Sequence, residues 1–148
     1  MIFLDTDIFV IDRFFPDDER GKTNHDFLDL AAKTNAGTSI FNVLEIVGIA
    51  SFNLNRDELT SLFTMFAASY KLQVLYPSTT FMTPEDFLAY LIESIFKKIC
   101  KQMHFPDALI LNVAEQNNCS NFITWNKKHF INRTGIEVQT PEEYLQTG

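Results

Sequence analysis

The sequence predicts an α/β sandwich with a mostly parallel sheet, because short apolar runs alternate with helical patterns along the chain. The first run, Ile2-Phe3-Leu4, contains no polar residue, which is typical of a strand buried on both faces. Further strands are predicted at residues 73–76, 121–124 and 136–139, and residues 37–39 form a turn or a short strand. No repeat or linker interrupts the 148 residues, so a single domain is expected.

Helical patterns fill the intervals between these strands. The spacing of apolar residues predicts helices over residues 8–15, 23–35, 40–50, 56–70 and 84–101, and a further helix from about Pro106 to about Asn117, with a last turn after residue 140. Ser39 and Thr83 are suited to cap the helices that follow them. One helix has an apolar stripe that predicts core packing or a dimer face, formed by Leu59, Leu62, Phe63 and Phe66.

The composition indicates a packed globule with an acidic surface. Apolar residues make up 46% of the chain, and no apolar run approaches the roughly 18 residues of a membrane span. The first residues lack the basic segment of a signal peptide, so we expect a cytoplasmic protein. Cys100 and Cys119 have no metal-binding spacing and are expected to be small buried hydrophobic residues rather than a disulfide.

The net charge of −7 constrains any function in nucleic-acid binding. Lys and Arg side chains normally supply most of the affinity for phosphates, and an acidic protein repels them. If this protein binds RNA, the contacts must come from local basic patches or from bound cations.

Acidic or amide side chains follow several of the predicted strands. Asp5 and Asp7 come directly after the first strand, and Asn126 follows a late one. Glu45 and Asp107 lie in early turns of helices, and Pro106 places Asp107 in a first turn, where the helix dipole favours its charge. Because ligand sites of open parallel sheets lie beyond the carboxyl ends of the strands, we expect these side chains to meet.

A cluster of carboxylates predicts chemistry that uses divalent cations. Like charges held close together force some of the groups to keep protons, and Mg²⁺ or Mn²⁺ removes that penalty by binding the oxygens. Water is the expected nucleophile, because no Ser or Cys with an oriented His is visible. Simpler interpretations also apply: Asp7 would cap the first helix, and the histidines would be surface or satisfied groups, namely His25, His104 and His129.

Four segments together resemble the PIN-domain nucleases, and most closely the short single-domain toxins of VapC type. The segments span residues 2–7, 42–46, 106–110 and 123–130, and their order and spacing match the family over nearly the whole chain. The resemblance implies a three-layer α/β/α fold and an endoribonuclease that depends on Mg²⁺ or Mn²⁺. It also implies an antitoxin protein that neutralises this activity, and a homodimer.

The resemblance further implies roles for individual residues. Asp5, Glu45 and Asp107 would be the metal ligands of the catalytic site, and Thr6 would orient Asp5 or contact the substrate. Asn126 occupies a catalytic position where the family has Asp or Asn. The uncharged amide at this position weakens the case for a tightly held second metal.

Basic side chains close to these segments are expected to carry the RNA contacts. Lys127 and Lys128 directly follow the proposed site and would bind substrate phosphates. A second patch is formed by Lys97, Lys98 and Lys101, which end the helix before the site.

Two other functions fit parts of the sequence. Asp5-Thr6-Asp7 after an apolar strand resembles the first motif of haloacid-dehalogenase-type phosphatases, although Phe9 stands where that family requires Thr or Val. Alternatively, the chain is a PIN-like module that binds RNA or protein without cleaving it. Asn126 and the acidic surface favour such a module, the three retained carboxylates oppose it, and metal-dependent cleavage distinguishes the two.

Overall fold

The computed structural model describes residues 1–79 and 83–147, and within them five parallel strands form one sheet. The strands are β1 (Ile2–Leu4), β2 (Ala36–Ser39), β3 (Gln73–Leu75), β4 (Asn121–Ile123) and β5 (Glu137–Gln139). Their order across the sheet is β3-β2-β1-β4-β5. The chain builds from β1 outwards to β3, then crosses back and continues on the other side of β1. The boundary between β1 and β4 is therefore the topological switch point.

Helices connect and cover these strands. They are α1 (Thr6–Phe14), α2 (Gly21–Ala31), α3 (Ile40–Ala50), α4 (Arg56–Tyr70), α5 (Pro84–Ile99), α6 (Phe105–Gln116) and α7 (Pro141–Thr147), with a 3₁₀ helix at Lys127–His129. The predicted bounds of α2, residues 23–35, lie two to four residues further towards the C-terminus than the observed helix, Gly21–Ala31. Helix α1 begins two residues earlier than predicted, because Asp5 caps it.

The alternation of side chains along the strands confirms the predicted α/β/α sandwich. Ile2 and Leu4 of β1 belong to one hydrophobic core together with buried residues of α1, α2, α3 and α4. Phe3 faces the opposite core, which includes buried residues of α5 and α6. Its ring stacks on Phe122 of β4 with the centroids 5.0 Å apart. The sheet is thus covered on both faces, as parallel sheets usually are.

Two expectations about single side chains are decided by burial. Leu62 and Phe66 of the α4 stripe are buried in the core of this chain, whereas Phe63 is exposed, so the stripe serves mainly core packing. Cys119 is buried as expected, but Cys100 is exposed, and both are free thiols. Among the described residues, no helix has the length and apolar character needed to cross a membrane.

Candidate active site

The candidate site lies at the carboxyl edge of the sheet, where β1 and β4 are paired. Asp5 follows β1 and caps α1, because its Oδ1 accepts a hydrogen bond from the backbone N–H of Thr6 at 2.8 Å. Thr124 follows β4, and its hydroxyl donates to Asp5 Oδ2 at 2.9 Å. Both side chains are buried. Ligands of open parallel sheets bind at this kind of switch point.

Asp7 is a second carboxylate of the cluster, and the prediction that it caps α1 is wrong. Its Oδ2 accepts hydrogen bonds from the Thr124 hydroxyl and from the backbone N–H of Trp125, each at 2.9 Å. Its Oδ1 is buried without a hydrogen-bond partner among residues 1–79 and 83–147. The Thr124 hydroxyl has only one proton for two carboxylates, so Asp5 and Asp7 together are short of donors.

Burial changes the acidity of both groups. Burial raises the pKa of Asp5 well above its ordinary value, and the nearby charges of Asp7 and Asp107 raise it further. Burial also raises the pKa of Asp7, to about 6, against the opposing effect of the hydrogen bonds from Thr124 and Trp125. Near neutral pH the two carboxylates are both ionised only at a cost in free energy, which a shared proton or a cation would remove.

A chain of hydrogen bonds links Glu45 to the cluster. The Thr6 hydroxyl donates to Glu45 Oε2 at 2.5 Å and accepts from Asn42 Nδ2 at 2.8 Å. Asn42 is itself fixed, because it forms a reciprocal capping box with Ser39 at the start of α3. Thr6 therefore contacts Asp5 through its backbone and Glu45 through its side chain, which positions the two carboxylates relative to each other.

Asp107 reaches the site from the first turn of α6 and is paired with a histidine. Its Oδ2 lies 3.0 Å from Nδ1 of His129, which belongs to the 3₁₀ helix after β4. The Asn126 amide nitrogen lies 3.1 Å and 3.2 Å from the two ring nitrogens of His129. His129 was not among the residues predicted to form the site. Its location within the 123–130 segment was the one signal that could have done so.

One pocket of about 240 Å³ collects these groups. It is lined by Asp5, Thr6, Asp7, Val10, Glu45, Asp107, Asn126, His129 and Phe130. All four predicted catalytic residues therefore share a single cavity with Thr6. The two lysines proposed to bind substrate do not line it: Lys127 is bridged to Glu143 at 2.7 Å, and Lys128 lines the adjoining pocket with Asp107 and His129.

The donor set of this pocket fits a hard divalent cation. Oxygen atoms of several carboxylates converge, one of them buried and unpartnered, and such oxygens are the preferred ligands of Mg²⁺ and Mn²⁺. The present arrangement is not a closed coordination shell. Across the described parts of the chain, no three His, Cys, Asp or Glu side chains are grouped closely enough to hold a metal ion. Glu45 Oε2 accepts a hydrogen bond from Thr6, and Asp107 Oδ2 lies beside His129 Nδ1.

Comparison with known proteins gives matches at the level of structure. No family model matches the sequence, and no curated protein matches it. The VapBC2 structure from Rickettsia felis, bound to a promoter DNA fragment, superposes with a TM-score of 0.66 at 21% identity, covering 95% of this chain and 98% of that one. A toxin-antitoxin complex from Klebsiella pneumoniae gives 0.63 at 20% identity, with coverage of 95% and 98%. The sarcin-ricin loop cleaving toxin VapC20 of Mycobacterium tuberculosis gives 0.57 at 16% identity, with coverage of 82% and 87%.

The three-layer arrangement around a five-stranded parallel sheet is that of a PIN-like α/β/α domain. Within that class, the chain has the fold of the VapC-type toxins, over nearly its whole described length. The resemblance expected from the four sequence segments is thereby confirmed for the fold.

Proposed function

We propose that this protein is a metal-dependent endoribonuclease of VapC type that cleaves phosphodiester bonds with an activated water. The observation that carries the proposal is the convergence of Asp5, Glu45 and Asp107 in one pocket at the switch point of the sheet. Burial and the neighbouring carboxylates raise the pKa of Asp5. Ionising all of these acidic groups therefore costs free energy unless a cation neutralises them. The VapC20 neighbour, a sarcin-ricin loop cleaving toxin, supports RNA as the substrate.

In this proposal, Asp5, Glu45 and Asp107 hold Mg²⁺ or Mn²⁺. A bound cation supplies Lewis-acid stabilisation of the phosphodiester and a more acidic water. Thr124 and Thr6 keep the carboxylates of Asp5 and Glu45 in place through their hydroxyl groups. Asn126 contributes an uncharged amide at the pocket wall, which can bind a substrate oxygen or water without adding negative charge.

We also propose an antitoxin partner and a homodimer. The partner is supported by the toxin-antitoxin complex among the structural neighbours. The homodimer is supported by an exposed apolar stripe on the outer face of α5, which consists of Leu88, Ile92, Phe96 and Ile99. These side chains recur at helical spacing and are 56%, 59%, 61% and 39% exposed, a pattern that marks an interaction face.

A PIN-like module that binds without cleaving is the second candidate. The observations that favour it are the neutral Asn126 in the pocket and the lack of a preformed coordination shell in the described chain. Under this alternative, the protein would retain RNA or protein binding and show no turnover with any divalent cation.

The deciding experiment is cleavage of a structured RNA pool with Mn²⁺ by the wild type and by Asp107→Asn. We expect cleavage that EDTA abolishes and that the substitution lowers by at least about 100-fold, because the variant loses a charged ligand of the cation that stabilises the transition state. Asp26→Asn, an exposed position of α2, is the matched control and should cleave like the wild type. Equal cleavage by wild type and Asp107→Asn would refute the assigned site, and no cleavage by any protein would favour the binding module.

A further inference from the structure

A second cavity, of about 590 Å³, lies between α5 and α6, away from the carboxylate pocket. Its walls are formed by Tyr90, Ser94, Lys97, Lys98, Lys101, Asn112, Glu115 and Gln116. None of these residues lines the pocket of about 240 Å³ that contains Asp5. Three ammonium groups face one carboxylate in this wall, so the cavity is electropositive in a protein whose net charge is −7.

The lysine at the centre of the cavity is held in a fixed position. The Lys98 side chain is only 11% exposed, and its Nζ lies 2.7 Å from Glu115 Oε2 and 3.3 Å from Asn112 Oδ1. The other oxygen of Glu115 accepts a hydrogen bond from the Thr134 hydroxyl at 2.7 Å. Glu115, the one acidic group that lines the cavity, is therefore already compensated by Lys98 and Thr134. Lys97 forms an ion pair with Glu93 at 2.6 Å, but both side chains are exposed and such pairs are weak, so a phosphate can replace the carboxylate.

Two amide donors in the same wall have no partner. Asn112 is 3% exposed, and its Nδ2 is buried without an acceptor within the described ranges. Gln116 uses its Oε1 to accept from the backbone N–H of Ser78, while its Nε2 is likewise buried and unpaired in that part of the chain. Unpaired buried donors are costly, and an anionic oxygen bound in the cavity would satisfy them.

The charge of the surrounding segment is unlike that of the rest of the chain. Residues 97–133 contain six of the twelve Lys and Arg residues but only two of the nineteen Asp and Glu residues, Asp107 and Glu115. An acidic protein that concentrates its cations in a quarter of its sequence has a local surface suited to phosphate groups, although its overall charge repels them.

This basic surface leads from the second cavity to the catalytic pocket. Asp107 and His129 line both the catalytic pocket and an adjoining cavity that also contains Lys128 and Arg133. Arg133 is joined to the turn after α5, because Lys101 Nζ donates to its backbone oxygen at 3.4 Å and its own Nε donates to the Lys101 backbone oxygen at 3.0 Å. The three cavities thus follow one another around α6.

We infer that the α5–α6 cavity is a phosphate-binding subsite for the RNA strand that flanks the cleaved bond. This subsite presupposes the RNA-cleaving function proposed above and specifies how the acidic protein retains its substrate. Asn112 and Gln116 are five and nine residues beyond Asp107 on α6, which corresponds to about 8 and 14 Å along the helix axis. At about 3.4 Å per nucleotide of a stacked strand, the bound phosphate is roughly two to four nucleotides from the cleaved bond. The exposed ring of Tyr90 at the same wall offers a surface for base stacking.

The first test measures binding of a short fluorescein-labelled oligouridylate by anisotropy, in EDTA so that nothing is cleaved. The double variant Lys97→Ala, Lys101→Ala removes two exposed cations from the cavity, and the matched control Lys22→Ala, Lys33→Ala removes two exposed cations on and just after α2. We expect the cavity variant to lose affinity about tenfold or more, and its salt slope to fall by about 1.4. The control should keep both values close to those of the wild type.

A second variant changes a single polar group without altering the shape of the cavity wall. Gln116→Glu keeps the oxygen that accepts from Ser78 and replaces the unpaired donor with an anionic oxygen. We expect about tenfold weaker oligouridylate binding, because a donor to phosphate becomes a repelling charge. Circular dichroism and the denaturation midpoint verify that the variant is folded.

The outcomes separate this subsite from the proposed nuclease activity. Reduced binding by both cavity variants, with an unaffected control, supports the subsite even if the wild type cleaves no RNA. Binding equal to that of the wild type in both variants overturns it, even if the protein is an active nuclease. Stabilisation of the wild type by inorganic phosphate alone, without any effect of the variants on oligouridylate binding, would show a site for free phosphate and would also overturn the proposal.

Discussion

Asp107 and His129 form a carboxylate–imidazole pair in the wall of the carboxylate pocket, with Asp107 Oδ2 and His129 Nδ1 3.0 Å apart. The two residues come from separate elements, α6 and the 3₁₀ helix after β4, and the pair joins these elements at the site. Because only one oxygen of Asp107 is used, the other remains able to bind a cation. A side chain that hydrogen-bonds to a metal ligand fixes the orientation of that ligand, and loss of such a side chain usually weakens metal binding.

His129→Ala is therefore expected to weaken Mn²⁺ binding by about 10-fold or more, while the fold is retained. The physical reason is that Asp107 would lose the hydrogen bond that restricts its rotation. Mn²⁺ binding can be followed by calorimetry or by electron paramagnetic resonance, with exposed His25→Ala as the control. Tighter binding in His129→Ala would instead show that the imidazole competes with the cation for Asp107.

Asp7→Asn is expected to stabilise the metal-free protein at neutral pH. Burial raises the pKa of Asp7 to about 6, whereas an aspartate in an unfolded chain has a pKa near 3.9. The folded state thus holds this proton more tightly, so the stabilisation from Asp7 is complete below about pH 4 and is lost as the pH rises through about 6. At pH 7 the asparagine should raise the free energy of unfolding by on the order of 2 kcal/mol.

Urea denaturation in EDTA at pH 5 and pH 7 measures this effect. The difference between Asp7→Asn and the wild type should be larger at pH 7, because the wild-type carboxylate is then ionised in its buried position. Asp26→Asn, on the exposed side of α2, should show no such increase. If the difference in the free energy of unfolding were smaller at pH 7 than at pH 5, the raised pKa of Asp7 would be contradicted.

Mn²⁺ is expected to stabilise the folded protein, because it would bind a cluster that exists only when the chain is folded. At a concentration one hundred times the dissociation constant, the gain is about 2.7 kcal/mol, or roughly 5–10 °C in melting temperature for a chain of this size. EDTA should reverse the shift. Asp5→Asn should lose it, since the substitution removes a ligand that is buried at the centre of the cluster.

The sheet and most helices could be predicted because local signals agree with the tertiary structure. The apolar run of β1 is buried on both faces, and Thr83 caps α5 as its sequence suggests. The correct strand predictions also allowed us to predict that the carboxylates lie close together. Asp5 and Asn126 follow strands, and the rule for parallel sheets brings strand ends to one edge.

Contacts between distant parts of the chain could not be predicted in this way. Asp7 occupies a first helical turn, where a simple capping role is common, but its actual hydrogen bonds come from Thr124 and Trp125, more than one hundred residues away. His129 pairs with Asp107 only because α6 and the 3₁₀ helix are adjacent in space. Local periodicity contains no information on either pairing, and the ion pair of Lys127 with Glu143 was unpredictable for the same reason.

Phe96→Glu on the outer face of α5 is expected to convert a homodimer into a monomer. Phe96 is 61% exposed and lies next to Ile92 and Ile99 on the same stripe, so a dimer that buries this stripe would have to bury the new charge. Phe63→Glu on α4 is the matched control, because Phe63 is also an exposed aromatic residue of a helix. Light scattering after size-exclusion chromatography should give a dimer mass for the wild type and the control and a monomer mass for Phe96→Glu. A wild-type monomer, or a dimer that tolerates glutamate at position 96, would require another partner for this face of α5.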